Sequence, residues 1–314
     1  MTMNLPTPDQ PLKIGTRGSP LALVQAHETR ARLMAAFDLP ETAFEIVVIS
    51  VTGDRVQDRP LKELGGKGLF TKEIEDDLLS GAIDIAVHSM KDMPVEQPKG
   101  LALDCYLLRE DCRDALVSLD GRGFDDLEAG TVVGTSSIRR KAQLLNRRPD
   151  LQVVEFRGNV QTRLKKLQDG VAQATFLAMA GLNRLGLGEV PRAPIDPDAI
   201  LPAIAQGAIG VERRQGDASV AGLLEGIQHC ETGQVLAAER AFLAALDGSC
   251  QTPIAGLADL IGGQLRLRGE VLRPDGSEVQ IDQITGPIED GAKIGQGLAK
   301  LLLDRAGPGF FDWH

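Results

Sequence analysis

Aromatic side chains are scarce, 4% of 314 residues, with one Trp and one Tyr. That argues against the stacked aromatic platforms that hold single-stranded nucleic acid. Positive charge is also short: the net charge is −10. A nucleic-acid or anionic-membrane partner is therefore not expected. No apolar run approaches the length of a membrane span. Met1 to Gln10 holds prolines and an acid but no apolar signal core, so a cytoplasmic chain is expected. The four cysteines, Cys105, Cys112, Cys230 and Cys250, include no C-x-x-C pair, and the four histidines are scattered. No metal site is expected from them. A reducing compartment disfavours disulfides, so each cysteine reads by default as a small hydrophobe.

What is present is a long alternation of strands and helices. The length suits two or three domains. Ile83 to Val87 is a short β-branched run of the kind buried on both faces of a parallel sheet. It delivers His88, Ser89, Lys91 and Asp92 to the strand's carboxyl end, where open α/β sheets bind ligands. Before it, Leu12 to Thr16 and Phe44 to Val51 read as strands. Ser19 and Pro20 read as an N-cap and first helical residue. Residues 54 to 68, with Gly65, Gly66 and Gly68, read as a mobile loop or lid. Gly65-Gly66-Lys67-Gly68 is not a phosphate loop, because Gly68 stands where Ser or Thr must bind magnesium.

Near residue 110 the pattern restarts. Strands are expected at Ala115 to Ser118, Thr131 to Gly134, Leu151 to Phe156 and Ala174 to Ala178, with helices after Ser137 and from Val160. Two parallel sheets flanked by helices follow from this alternation. Ala208 to Glu212 reads as a strand returning to the first of them. Beyond a helix marked by Val235, Ala238, Phe242 and Leu246, alternating strands imply an antiparallel α+β module. Its two later strands are joined by a turn at Pro274-Asp275-Gly276.

Four strand-to-helix junctions share a chemistry: Thr16 to Ser19, His88 to Asp92, Thr135 to Arg140 and Arg157 to Asn159. Helix starts offer unpaired N–H groups to anions. Arg17, Arg139, Arg140, Arg157 and Arg163 add forks suited to carboxylates. An acidic protein that gathers such cations at its junctions points to a ligand with several negative groups. Asp92 is the exception, a carboxylate placed for proton transfer or for stabilising a developing cation. It reads equally as a partner that only positions Lys91 or an arginine. His88 reads first as a satisfied structural histidine and second as a base.

The motifs Thr16-Arg17-Gly18-Ser19-Pro20-Leu21, Gly65-Gly66-Lys67-Gly68-Leu69-Phe70 and His88-Ser89-Met90-Lys91-Asp92 resemble the porphobilinogen deaminase family. So do Gly134-Thr135-Ser136-Ser137-Ile138-Arg139-Arg140, Arg157-Gly158-Asn159-Val160-Gln161-Thr162-Arg163 and Gly248-Ser249-Cys250-Gln251-Thr252-Pro253. The resemblance runs from about Leu12 past residue 300, in the family's order. It implies an α/β fold of two doubly wound, periplasmic-binding-protein-like domains, with a small α+β C-terminal domain built on an antiparallel sheet. The boundaries expected are 1–108 plus about 208–226, then 109–207, then 227–314.

The resemblance also implies a transferase of tetrapyrrole biosynthesis. It adds four porphobilinogens head to tail, releasing ammonia each time, and hydrolysis then frees hydroxymethylbilane. The primer implied is a dipyrromethane cofactor on Cys250 through a thioether. Asp92 takes the catalytic role. Ser89, Lys91, Thr135, Ser136, Ser137, Arg139, Arg140, Arg157 and Gly158 are implied to hold the cofactor. Arg17, Ser19, Arg163 and Gln206 are implied to hold substrate. Phe70 is expected either to stack near the pyrroles or to anchor a helix. A monomer with no nucleic-acid or membrane partner is expected. Three departures stand out: family members often carry glycine at Ala205, an acidic residue near Gln173 and histidine at Cys230. The alternative is a two-lobed anion receptor without catalysis, which leaves Cys250 unexplained. A pyridoxal-phosphate enzyme using Lys91 is a third reading, with no phosphate cup to support it.

Overall fold

Short apolar strands and capped helices alternate through most of the chain. The computed structural model describes residues 4–55, 71–248 and 252–311. In chain order the first strands are β1 (Leu12–Arg17), β2 (Phe44–Ile49), β3 (Ile85–Ser89), β4 (Leu101–Tyr106), β5 (Asp114–Ser118) and β6 (Val132–Gly134). Then come β7 (Gln152–Val154), β8 (Ala174–Ala178), β9 (Arg192–Pro194), β10 (Ile209–Arg214), β11 (Ile254–Ile261), β12 (Gln264–Leu272) and β13 (Val279–Gly286). The helices begin with α1 (Pro20–Phe37), α2 (Thr52–Arg55), α3 (Lys72–Ser80), α4 (Ile138–Arg147) and α5 (Val160–Gln168). They end with α6 (Met179–Arg184), α7 (Ala218–Glu225), α8 (Cys230–Ala245) and α9 (Gly291–Ala306). Among these residues no helix is long and apolar enough to cross a membrane. The chain divides into two compact units.

Unit 1 comprises Met1–Glu110 and Ala208–Gly233. Its sheet has the order β2-β1-β3-β10-β4. β1 runs parallel to β2 and β3, while β10 runs antiparallel to both β3 and β4. The sheet is therefore mixed, not all-parallel as the alternation suggests. Ile209 pairs with Ser89, so the returning chain enters at the carboxyl end of β3 and must run backwards. An antiparallel neighbour needs no crossover helix. One face of the sheet packs Leu12 and Ile14 with Leu33 of α1 and Leu223 of α7. The other packs Ile49 and Ile83 with Ile74 and Leu78 of α3. Ser19 caps α1 by accepting from the N–H of Ala22, with Pro20 in the first turn, as expected.

Unit 2 comprises Asp111–Gly207 and Gln234–His314. Its larger sheet, β7-β6-β8-β5-β9, repeats the first plan. β6 is parallel to β7 and β8, and β5 is antiparallel to β8 and β9. The smaller sheet, β11-β12-β13, is antiparallel throughout. Phe242 of α8 and Leu298 of α9 meet over Gly269 of β12, where a side chain would strike both. The β12–β13 turn seats on α4. Gly276 takes φ +77°, a Cβ there would lie 2.7 Å from the carbonyl of Ala142, and its own carbonyl accepts from Asn146 Nδ2 at 2.9 Å. Only glycine meets both demands.

Candidate active site

In unit 1, β1, α1 and β3 bring their carboxyl and amino ends to one pocket. Arg17, Ser19, Gln25, His88, Ser89 and Asp92 line it. Strand β3 runs through Ser89, further than the sequence pattern suggests, so His88 and Ser89 are held by sheet geometry. Lys91 and Asp92 follow on a single 3₁₀ turn, Met90–Asp92. Arg17 Nη1 stands 3.9 Å from Asp92 Oδ2, an ion pair too long for a hydrogen bond. The Asp92 carboxylate stays accessible, with 37% of its side chain exposed. Lys91 is half-buried. Gln25, which the sequence reading missed, is hydrogen-bonded to Ser89 Oγ at 2.8 Å. It follows Ser19 and Ala22 on one face of α1, a spacing that marks it.

His88 is a structural histidine first. Its Nε2 lies 3.2 Å from Oε2 of the wholly buried Glu212, on the neighbouring strand. Glu75 of α3 is buried nearby. Burial raises its pKa, and the charges of Glu212 and Asp76 add to this, against the neighbouring Thr71 hydroxyl and the His88 charge.

Unit 2 holds most of the cationic junctions. Ser137 caps α4 by accepting from the Arg140 N–H, and Ser136 Oγ accepts from the Phe156 N–H. Thr135 Oγ1 accepts from the Ser137 N–H. Accepting an N–H leaves each hydroxyl its own proton to donate. Arg139 and Arg140 are both buried, and both reach one carboxylate. Arg139 Nη2 donates to Asp114 Oδ2 at 2.8 Å, and Arg140 Nη2 to Asp114 Oδ1 at 2.6 Å. Gln206 Nε2 donates to the same Oδ1 at 2.9 Å and to the carbonyl of Cys112. Burial works against the Asp114 charge. The two arginine charges and the hydrogen bonds outweigh it and hold the carboxyl well below the usual carboxylate range. Sequence reading missed Asp114, which lies one residue before the expected strand start at Ala115 and opens β5.

Arg140 Nη1 donates to the Phe176 carbonyl, while its buried Nε finds no partner among the described residues. Arg163 Nε donates to the carbonyl of Gly158, and burial together with the Arg140 charge lowers its pKa to about 10. Gly158 takes φ +121°, and a Cβ there would lie 2.5 Å from Thr162, so the junction requires glycine. Arg157 is half-buried, and its carbonyl accepts from Lys166 Nζ. The cluster is rich in cations and offers a buried donor without a partner. That is the chemistry of a carboxylate-binding site.

Phe70, the Gly65–Gly68 segment and Cys250 lie outside the described residues. Cys105 is buried, and burial first, then Asp104, pushes its thiol up to about 12, so it stays protonated and inert. Cys230 is exposed at the start of α8, not packed in the core as a small hydrophobe, and nothing in the structure explains it. Ala205 takes φ +59°, a left-handed backbone that suits glycine.

The family model described as "Porphobilinogen deaminase, dipyromethane cofactor binding domain" matches residues 12–222, and "Porphobilinogen deaminase, C-terminal domain" matches residues 234–304. The curated porphobilinogen deaminase of Paracoccus denitrificans strain Pd 1222 is 65% identical over 309 residues, 98% of this chain and 99% of its own. Among solved structures, an ancestral cationic amino acid solute binding protein aligns with TM-score 0.42 and 14% identity, covering 68% of this chain and 86% of its own. The periplasmic VFT2 domain of Bordetella pertussis BvgS aligns with TM-score 0.40 and 16% identity, covering 73% and 92%. The chain belongs to the porphobilinogen deaminase family.

Proposed function

We propose that this chain joins four porphobilinogens head to tail, releasing ammonia at each addition, and then hydrolyses the product free as hydroxymethylbilane. Near-full-length identity of 65% to a porphobilinogen deaminase carries this reading. The receptor alternative gains no support from it. When bound, a dipyrromethane group supplies the pyrrole end on which addition begins. The residues fit such a group, because a polycarboxylate answers the unpartnered Nε of Arg140 and the crowded Arg163. We assign its thioether to Cys250, with Lys91, Ser89, Arg139, Arg140 and Arg157 holding carboxylates and Thr135, Ser136 and Ser137 donating hydroxyl protons. Gly158 gives its backbone conformation to that junction. We assign substrate carboxylates to Arg17, Ser19 and Arg163, a substrate contact to Gln206, and an aromatic contact to Phe70. We read the chain as three domains, 1–108 with about 208–226, 109–207 and 227–314.

Asp92 does the proton work in this reading. Its carboxyl gives a proton to the departing amine of porphobilinogen. The carboxylate that remains faces the positive charge left on the pyrrole nitrogen. It then recovers a proton from the ring carbon at which coupling occurred. Arg17, 3.9 Å away, keeps the carboxylate oriented without occupying it. The test is an intact-mass measurement on the purified chain beside a turnover assay with porphobilinogen. The expected mass exceeds the sequence by two linked pyrroles, localised by proteolysis to the Cys250 peptide. Asp92→Asn should keep that mass and lose at least ~100-fold in turnover, the scale of a positioned acid–base group. An unmodified mass in fully active protein, or near-normal turnover by Asp92→Asn, sinks the corresponding part of the reading.

A further inference from the structure

Three of the residues assigned to ligand carboxylates or substrate converge on one buried acid that no motif marks. Arg139, Arg140 and Gln206 all donate to Asp114, which is 0% exposed and sits at the start of β5 opposite Ala178. Arg139 and Arg140 are consecutive on α4, so helix geometry alone points them apart. Asp114 gathers them by giving each a separate oxygen. The remaining Nη groups are also tied. Arg139 Nη1 donates to Gln143 Oε1 at 2.9 Å and to the Leu201 carbonyl at 2.7 Å. Arg140 Nη1 donates to the Phe176 carbonyl at 3.0 Å. The fork of Arg140 is thereby immobilised, with its buried Nε the donor left over among described residues.

We propose that Asp114 is the positioning residue of the carboxylate-binding cluster, fixing Arg140 so that its Nε faces a ligand carboxylate beside Arg163. Charge supports this. The Asp114, Arg139 and Arg140 side chains sum to one positive charge, and Arg163 adds a second. Asp114 thus reduces the repulsion between neighbouring cations without cancelling the attraction for an anion. Position supports it as well. An aspartate has a short stem, and a strand hydrogen-bonded on both sides holds that stem still.

The inference rests on the proposed function, and the experiment separates the two. The full chain, wild type and the variants Asp114→Asn and Asp114→Glu, is purified and incubated with porphobilinogen. Primer loading is read by intact mass on the folded fraction, and thermal unfolding is measured in parallel. Asn keeps the shape but turns an acceptor into a donor facing a guanidinium. Glu keeps the charge but displaces it by a methylene. We expect at least one variant to fold, with primer loading per folded molecule down at least ~10-fold, a scale set by losing a charge-assisted hydrogen bond. A residue serving only the fold would change the folded fraction but not the loading of folded molecules. Wild-type loading in either folded variant overturns the proposal. Failure of both to fold also overturns it, by assigning Asp114 to the fold. A wild-type chain without the pyrrole mass would overturn the parent reading instead.

Discussion

Ala205 stands in the left-handed region with its N–H donated to Glu239 Oε2 at 2.6 Å, one residue before Gln206. An alanine there bears roughly 1–2 kcal/mol of strain. Ala205→Gly removes that strain but gives up a buried methyl worth about 0.8 kcal/mol and frees the unfolded chain. The terms nearly cancel, so urea unfolding should place it within about 1 kcal/mol of wild type. Ala205→Val, branched at Cβ in a buried site, should lose at least ~2 kcal/mol by strain and overpacking. Equal stability of Val and Gly would mean that the loop relaxes. Glu75 supplies a pH test. Its folded pKa lies above its unfolded value, so its contribution is full below the unfolded value and lost as pH rises through the folded one. Glu75→Gln removes that titration. The variant should gain Tm relative to wild type as pH rises from the ordinary carboxylate range through the raised folded value, and a constant difference would refute it. Much of the residue-level site was legible. Arg17, Ser19, Ser89 and Asp92 do share a pocket, because Arg17 and Ser89 end strands, Ser19 caps a helix and Asp92 sits on the turn that follows β3. Asp114 was not legible, because its partners lie 25 and 26 residues away and no local pattern encodes such a meeting.

Helix α4 shows how an element is held from several sides. Ser137 caps its start, and the Gly276 turn rests on its middle. Glu270 of β12, wholly buried, accepts from Gln143 Nε2 at 2.6 Å and Arg147 Nη2 at 2.8 Å. Gln143 in turn accepts from Arg139. A buried polar chain therefore runs from the three-stranded sheet through α4 to Asp114. Removing one member strands its partners without water. Glu270→Ala should destabilise the protein by about 3 kcal/mol, the lower end for a broken buried pair because Arg147 is partly exposed. A denaturant midpoint unchanged from wild type would show that α4 stands without this tie. At this scale, legibility followed length and periodicity. α1, α4, α5 and β8 lie close to where their patterns place them, and the turn at Pro274–Gly276 joins two antiparallel strands as expected. β9 has three residues and is defined only by pairing with β5, so its own sequence carries no signal. β4, α6 and α7 were likewise not marked. Mixed runs such as Leu101–Tyr106 alternate too weakly to separate strand from loop.

The whole chain is threaded so that unit 1 is left and rejoined. β10 returns between β3 and β4 and is hydrogen-bonded to both. The return was legible from the apolar run after Ala208, but its direction was not. Parallel and antiparallel partners bury the same residues and differ in strand direction and hydrogen-bond pattern, which the apolar run does not encode. A fragment ending at Glu110 keeps β4 but loses the strand that joins it to the sheet. It also loses α7, whose Val220, Leu223 and Leu224 belong to the same core. Such a fragment exposes two strand edges and an uncovered apolar face, so it should show no cooperative urea transition. The remedy is short, because Leu107 donates its N–H to the carbonyl of Ile209 at 3.1 Å. The two cut ends, Glu110 and Ala208, therefore lie within a few residues of a common hydrogen bond. Joining Met1–Glu110 to Ala208–Gly233 through a short Gly/Ser linker should restore a cooperative transition with a far-UV spectrum of mixed α/β type. The linker adds no contacts, so any recovered stability comes from β10 and α7. If the bare fragment unfolds cooperatively, β10 is dispensable to the first sheet. If the joined chain does not, unit 1 depends on the rest of the protein to fold.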